Sequence, residues 1–392
     1  MNIEGLPLSC SSWDEKEIEA IMRVVKQDRY TMGDAVFEFE RQFARFFGSS
    51  YAVMVNSGSS ANLLAIAALS FKKENPLKPG DEIIVPSLSW ATTYYPVSQY
   101  GMKLVFVDID LNTLNINSKL IENAITPKTR AVFVPNILGN PADLIRIQQI
   151  CDQHNLYLVE DNCESMGSKL NGRYSGTYGI IGTFSCFFSH HISTMEGGVL
   201  TTDDEELYQL LLSLRAHGWT RQLPKNNLLC EKSNDHFYEL FRFILPGYNV
   251  RPLEMSGEIG LEQLKKLPNL VNIRRENARH FIELFKDHPD FMIQQETGES
   301  TWFGFSLIIR PQSFLKRSEV LHVLMKHKIE TRPIISGNFL RQPVIQYLDH
   351  RVVGEHVNSD RVHDYGFYIG NHSTDIRTQI EKLQNELFSY SS

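Results

Sequence analysis

The sequence predicts an α/β protein built on a mostly parallel sheet, and three observations carry that expectation. From Tyr51 onward, short apolar runs of strand length alternate with segments of helix length, the pattern of a sheet covered by helices on both faces. Residue types that do chemistry fall where those runs end: Ser57 to Ser60, Trp90, Asp161 and Glu164. Open parallel sheets place their sites at the carboxyl ends of strands. The chain has 392 residues, more than one core usually organises. The pattern shifts near Leu245, so a large domain over 1–250 and a smaller C-terminal α/β domain over 251–392 are expected.

Taken in order, Ser12 or Asp14 caps a first helix that runs to about Gln27. Val36, Phe39, Phe43 and Phe46 recur at helical spacing, so this stripe faces the core rather than a ligand. Strands are expected at Ala52–Asn56, Glu82–Pro86, Lys103–Asp108, Ala131–Pro135 and Leu156–Glu160. Helices fit Ala61–Ser70 and Leu144–His154. Farther on, GYNVRPLEMSGEIG reads as a loop entering a helix, with Pro268 expected to end it and a second helix to run from about Leu270 to Phe285. A strand in WFGFSLIIR, a helix over Ser318–Lys328 and the irregular stretch TRPIISGNF complete the smaller domain.

Composition narrows the function. The formal net charge is −7 and no Lys/Arg stripe stands out, which speaks against nucleic acid as a partner. No apolar run approaches bilayer length, and MNIEGLPLSCSSWDE lacks the basic start and apolar core of a leader. A cytoplasmic protein without a membrane partner is therefore expected. Five cysteines, scattered and without a CxxC pair, read as reduced thiols and offer neither a metal site nor an iron-sulfur site.

The stretch TFSCFFSHHISTMEGG, Thr183 to Gly198, organises the rest. An apolar run carries Ser185, breaks at His190-His191 and returns through two glycines to Val199-Leu200, as a strand, a tight crossing and a second strand would. Imidazole exchanges protons near neutrality without large tuning. For an isolated pair of histidines, a packed structural role comes first. LYLVEDNCESMG and YAVMVNSGSSANLLAIAAL, each a strand with polar residues at its end, change that.

In this order and spacing, the three stretches resemble the DegT/DnrJ/EryC1/StrS family of sugar aminotransferases. The resemblance extends over nearly the whole chain, from TMGDAVFEFE to TRPIISGNF. It implies the fold-type I, aspartate aminotransferase-like architecture of pyridoxal-phosphate enzymes. That family carries its Schiff-base lysine eight residues before the second Gly of the EGG element, a position that is His190 here. An imidazole has no primary amine and cannot form that bond. Members with His at this position are 3-dehydratases of nucleotide-linked 4-keto-6-deoxy sugars, and SHHISTMEGG looks most like the branch acting on GDP-4-keto-6-deoxy-D-mannose in colitose-type O-antigen synthesis.

The same resemblance assigns roles. Gly58, Ser59 and Ser185 would cradle a phosphate, Asp161 would pair with the pyridine nitrogen, Glu164 would contact the ring hydroxyl and Trp90 would stack on the ring. A Gly/Ser turn, a strand-end Asp and a lone Trp each have a plainer structural reading as turn, helix cap and core residue. Asn249 would reach the phosphate across a homodimer interface. Met32 and Gly33 would lie at the substrate mouth, and His217, Arg332 and Asn338 would touch the sugar nucleotide or glutamate.

The implied chemistry uses pyridoxamine 5′-phosphate held without a covalent bond, His190 as the base that drives loss of the C3 hydroxyl, and L-glutamate to regenerate the amine. A related dehydratase of CDP-4-keto-6-deoxy-glucose needs an iron-sulfur cluster, for which this chain lacks the cysteine spacing. Two alternatives stand beside this reading: an aminotransferase using another lysine, the nearest being Lys169 and Lys225, and a non-catalytic cofactor-binding protein.

Overall fold

The computed structural model describes residues 5–391; the first four residues, part of the stretch read above for a leader, and Ser392 lie outside the described residues. An eight-stranded sheet forms the centre. Its strands are β1 (Tyr51–Val55), β2 (Glu82–Pro86), β3 (Lys103–Val107), β4 (Thr129–Pro135), β5 (Tyr157–Asp161), β8 (Ile181–Ser185), β9 (Gly198–Thr202) and β13 (His350–Val352). Between β5 and β8 lies a two-residue hairpin, β6 (Lys169–Leu170) and β7 (Arg173–Tyr174). The order across the large sheet is β1-β9-β8-β5-β4-β2-β3-β13, and every neighbouring pair is parallel except those made by β9. The fold is thus the mixed, mostly parallel α/β arrangement that the alternating pattern predicted. A second, antiparallel sheet orders β10 (Phe291–Met292), β11 (Gly304–Ile309), β14 (Gly366–Gly370) and β12 (Thr331–Arg332) as β10-β11-β14-β12.

Helix boundaries follow the local chemistry. Asp14 caps the helix Glu15–Gln27 in a capping box with Glu17, while the helix Asp34–Phe47 has no side-chain cap of its own. The Glu254 carboxylate serves it instead, accepting from the N–H groups of Gly33 at 2.5 Å and Ala35 at 2.7 Å. The Phe stripe is core, with Phe39 and Phe43 packed edge to face and Phe43 against Phe184 of β8.

The expected break at Pro268 does not occur. One helix runs from Glu254 to Phe285 with Pro268 inside it. A proline there removes one backbone hydrogen bond at a cost of about 3 kcal/mol, but packing on either side overrides it. Leu264, Leu267, Leu270 and Val271 are buried, Gly257 fits so closely that a Cβ would lie 2.5 Å from the Val36 nitrogen, and Glu17 binds Gln263 at 2.8 Å and Lys266 at 2.7 Å.

Two segments cross residue 250, the division expected from sequence: β13 returns to the edge of the large sheet, and Leu6 bridges Ile329 near the small one. Among the described residues no helix is long and apolar enough to cross a membrane.

Beneath β1 lies a buried ion pair. Arg215, fully buried, donates to the Glu40 carboxylate and to the Met54 carbonyl at 2.6 Å, and Glu40 also accepts from the Met54 N–H at 2.7 Å. This ties the Phe-stripe helix to the strand that leads into Ser57-Gly58. Glu40→Ala would leave a buried guanidinium without its counter-ion, and a loss of about 3–5 kcal/mol is expected in urea denaturation. A loss under about 1 kcal/mol, the range of an exposed pair, would refute that role.

Candidate active site

A cavity of about 380 Å³ opens at the carboxyl ends of β1, β2, β4, β5 and β8. Ser57, Gly58, Ser59, Trp90, Asp161, Glu164, Ser185 and His190 all line it, with Phe303 and Tyr368 contributed by the smaller sheet's end of the chain. Seven of the sequence-predicted residues thus come together from five separate segments. Among the described residues no lysine lines the cavity.

The turn after β1 is shaped by local bonds. Ser57 caps the helix Gly58–Ser70, accepting from the Ser60 N–H at 3.1 Å. The first turn of a helix leaves N–H groups unpaired and carries the positive end of the dipole, which suits a phosphate. Gly58 is required by space, since a Cβ there would stand 2.7 Å from Ser185 Cβ and 2.8 Å from Cys163 Sγ. The second Gly of the EGG element is equally constrained: a Cβ at Gly198 would collide with the Ser57 carbonyl.

Asp161 ends β5 with 6% of its surface exposed. Its Oδ2 accepts from Asn62 Nδ2 and from Thr93 Oγ1, both at 2.8 Å, and its Oδ1 from the Cys163 N–H at 3.1 Å. Three neutral donors, and no lysine or arginine among the described residues, hold this carboxylate. Asn62 and Thr93 were missed in the sequence. The only signal for Asn62 is its position one turn along the helix from Gly58, with a polar amide in an otherwise apolar run.

Glu164 accepts from the Leu138 N–H at 3.0 Å. Burial pushes its carboxyl up to about 7, against the pull of that N–H, and the neighbouring Asp161 adds to the rise. The loop from Cys186 to Gly197 that joins β8 to β9 carries the two histidines in different directions: His190 lines the cavity, whereas His191 is 1% exposed and does not. Burial, and next the Arg274 cation, lower His190 to about 4 and hold His191 well below its ordinary range. The Nδ1 of His190 has no hydrogen-bond partner among the described residues.

The remaining candidates lie elsewhere. Met32 packs at the margin of the Phe-stripe core and Gly33 is engaged by Glu254. His217 packs against Trp219 at 4.9 Å, the rings tilted by 45°, with a backbone φ of 62°. Asn249 bridges Ala216 and accepts from Arg251 Nε at 3.0 Å. Arg332, exposed on β12, is paired in register with Tyr368. Asn338 is 2% exposed, with its amide donating to Asp360 at 2.9 Å and its carbonyl capping Leu340 at 3.0 Å. None of these six lines the cavity of its own chain.

The residues present fit a pyridoxal-type cofactor held without a covalent bond. The helix start at Gly58 suits its phosphate, the buried Asp161 carboxylate suits a protonated ring nitrogen, and an imidazole, His190, lines the cavity without an amine that could form a tether. The model of the DegT/DnrJ/EryC1/StrS aminotransferase family matches residues 11–385. A GDP-4-keto-6-deoxy-D-mannose 3-dehydratase of Yersinia pseudotuberculosis is 54% identical over 385 residues, 98% of this chain and 98% of that one. The solved E. coli GDP-4-keto-6-deoxy-D-mannose-3-dehydratase with bound hydrated PLP is 52% identical, with a TM-score of 0.96 over 98% of this chain and 100% of that one. A structure of GDP-4-keto-6-deoxymannose-3-dehydratase with a trapped PLP-glutamate geminal diamine matches with the same identity, coverage and TM-score.

The raised pKa of Glu164 has a measurable sign. The folded chain holds this proton more tightly than the unfolded one, so stability is fully present below about 4.5 and falls as pH rises through about 7. Without cofactor, the wild type should lose up to about 3 kcal/mol across that window, less where cavity water screens the charge. Glu164→Gln should lose less by that amount in urea melts; identical pH dependence in the two proteins would refute the assignment.

Proposed function

We propose, from the premise that this chain belongs to the DegT/DnrJ/EryC1/StrS aminotransferase family, that it is a pyridoxamine/pyridoxal phosphate-dependent 3-dehydratase of a nucleotide-linked 4-keto-6-deoxy sugar. Its likeness to the Yersinia and E. coli enzymes makes GDP-4-keto-6-deoxy-D-mannose the substrate. The observation that carries the reading is His190: an imidazole lines a cavity built for this cofactor, and no lysine does. The overall change balances with glutamate as reductant. The sugar loses the oxygen at C3, glutamate becomes 2-oxoglutarate, and its nitrogen leaves as ammonia.

When bound, the cofactor would supply an amine for the C4 ketone and a conjugated ring that takes up the electron pair freed by proton removal and releases it as the C3 hydroxyl departs. The chain's own residues do the rest. The N–H groups at Gly58 and Ser59 and the Ser185 hydroxyl anchor the phosphate. Asp161, held rigidly by Asn62, Thr93 and the Cys163 N–H, keeps the ring nitrogen protonated. Glu164 faces the ring hydroxyl and Trp90 covers the ring. With its pKa lowered to about 4, His190 is neutral at working pH and takes and returns a proton at Nε2. His191, buried and off the cavity, serves packing.

In this reading the working form is a homodimer, and Asn249 enters the partner's cavity. Two facts support it: Asn249 lies off its own chain's cavity, and the chain around it exposes Phe237 at 85%, Phe241 at 64% and Leu253 at 53%. Arg332, His217 and the Met32-Gly33 turn then frame the sugar nucleotide. That such a charged substrate does not cross a bilayer unaided supports a cytoplasmic enzyme.

Purified protein given the GDP sugar, pyridoxamine phosphate and glutamate should yield a sugar lighter by one oxygen, with no iron or reductase added. An amino sugar as product would establish the aminotransferase alternative, and unchanged sugar with bound cofactor the non-catalytic one. Subunit sharing is tested by co-expressing His190→Asn and Asn249→Ala chains. Each alone should be nearly inactive, while random pairing leaves about one site in four intact. A mixture as inactive as its parents would refute a shared site.

A further inference from the structure

A catalytic base is usually oriented by a hydrogen bond from a third group. His190 lacks that support at Nδ1, and the one bond its residue makes to Phe187, from the backbone N–H to the Phe187 carbonyl at 2.9 Å, leaves the ring free to turn. Two phenyl rings confine the imidazole instead: Phe187, edge-on at 5.8 Å, and Phe303, at 5.2 Å and tilted by 52°. Phe187 rides on the same loop as His190 and is 41% exposed, so it is a weak wall. Phe303 arrives from the other end of the chain and touches His191 as well, at 5.8 Å.

The backbone that delivers Phe303 is strained and over-determined. Trp302, with 2% exposure, has a φ of 48°, the left-handed region that a bulky residue adopts only when its surroundings force it. Its carbonyl accepts from Asn371 Nδ2 at 2.7 Å, and its N–H donates to Ser300 Oγ at 3.0 Å. The Phe303 N–H donates to the Leu138 carbonyl at 2.9 Å, and the Phe303 carbonyl accepts from Arg274 Nη1 at 3.3 Å. Arg274 also donates to the Asn371 carbonyl at 2.5 Å, and Asn371 Nδ2 reaches the Arg274 carbonyl at 3.1 Å.

Arg274 is itself unusual. It is 4% exposed, on the helix Glu254–Phe285, and makes no ion pair with a carboxylate among the described residues. The groups whose protonation its charge opposes are His190, His191 and His372. A buried cation without a counter-ion is costly, so a role in packing alone does not account for it.

We infer that Phe303 is a positioning residue for His190 and that Arg274, with Asn371, is the clamp that sets it, fixing the base by ring packing where no hydrogen bond does. This rests on His190 being the base. The same guanidinium opposes protonation of the ring it positions, so one side chain serves both the geometry and the neutrality of the base.

The test compares Phe303→Leu, Arg274→Gln and His190→Asn with the wild type, all as holoenzyme. Turnover is measured together with deuterium exchange at histidine C2 across a pH series, read residue by residue from peptide masses. Phe303→Leu and Arg274→Gln should each lower kcat by about 10–100-fold, with the KM for the nucleotide sugar little changed. In both, the exchange midpoint of His190 should rise above that of the wild type, while His280, partly buried on the same helix and paired with Glu381 at 3.1 Å, stays as it was. A kcat within about threefold of the wild type would overturn the inference, and so would a loss of kcat with His190 exchange unmoved, the mark of a purely structural role. If Arg274→Gln fails to fold, Phe303→Leu still decides. Dehydration retained by His190→Asn overturns the base assignment and this inference with it; dehydration lost there but kept by Phe303→Leu overturns this inference alone.

Discussion

The structure depends on a close approach that only missing side chains allow. The start of the helix Gly58–Ser70, the end of β8 and the start of β9 converge so tightly that a Cβ at Gly58 would meet Ser185 and Cys163, and one at Gly198 would meet Ser57. This convergence brings a helix terminus, the Ser185 hydroxyl and the histidine loop to one point. Among the described strands of the large sheet the only antiparallel pairs are those that β9 makes, and its reversal makes the loop from Cys186 to Gly197 fold back over the cavity rather than cross the sheet. The Arg215–Glu40 pair secures the other side of β1, so the cradle rests on a backbone held from both faces.

Much of this was legible in the sequence because it is local. Strand ends show as apolar runs closing on polar residues, and the strands expected around Glu82–Pro86 and Leu156–Glu160 fall within a residue of those observed. The resemblance, counted back from Gly198, pointed to His190 rather than its neighbour His191. What stayed hidden is non-local. Asn62 and Thr93 meet Asp161 across the fold, Leu138 meets Glu164, and Phe303 meets His190 from over a hundred residues away. No periodicity carries such pairings.

Pro268 failed as a signal for a related reason. Local propensity sets one lost hydrogen bond against a proline, whereas a helix of 32 residues pressed against three others recovers more than that from burial. The expected N-terminal cap at Asp14 held because a capping box is a contest between near neighbours. Propensity decides where little tertiary contact competes with it, and loses where much does.

The replacement of an amine by an imidazole changes what the surrounding protein must do. A tethering lysine would hold the cofactor and act as base at once, so its geometry would be fixed by a covalent bond. Once the bond is gone, those two tasks fall to separate groups. In the function proposed here, retention would pass to the Gly58-Ser59-Ser185 turn and to an Asp161 held by three donors, and proton transfer to the His190 ring, which no bond to the cofactor restrains. A free imidazole must then be held in place and kept unprotonated by other means. The enclosing phenyl rings and the nearby buried guanidinium meet those needs without giving the cofactor aldehyde an amine to capture.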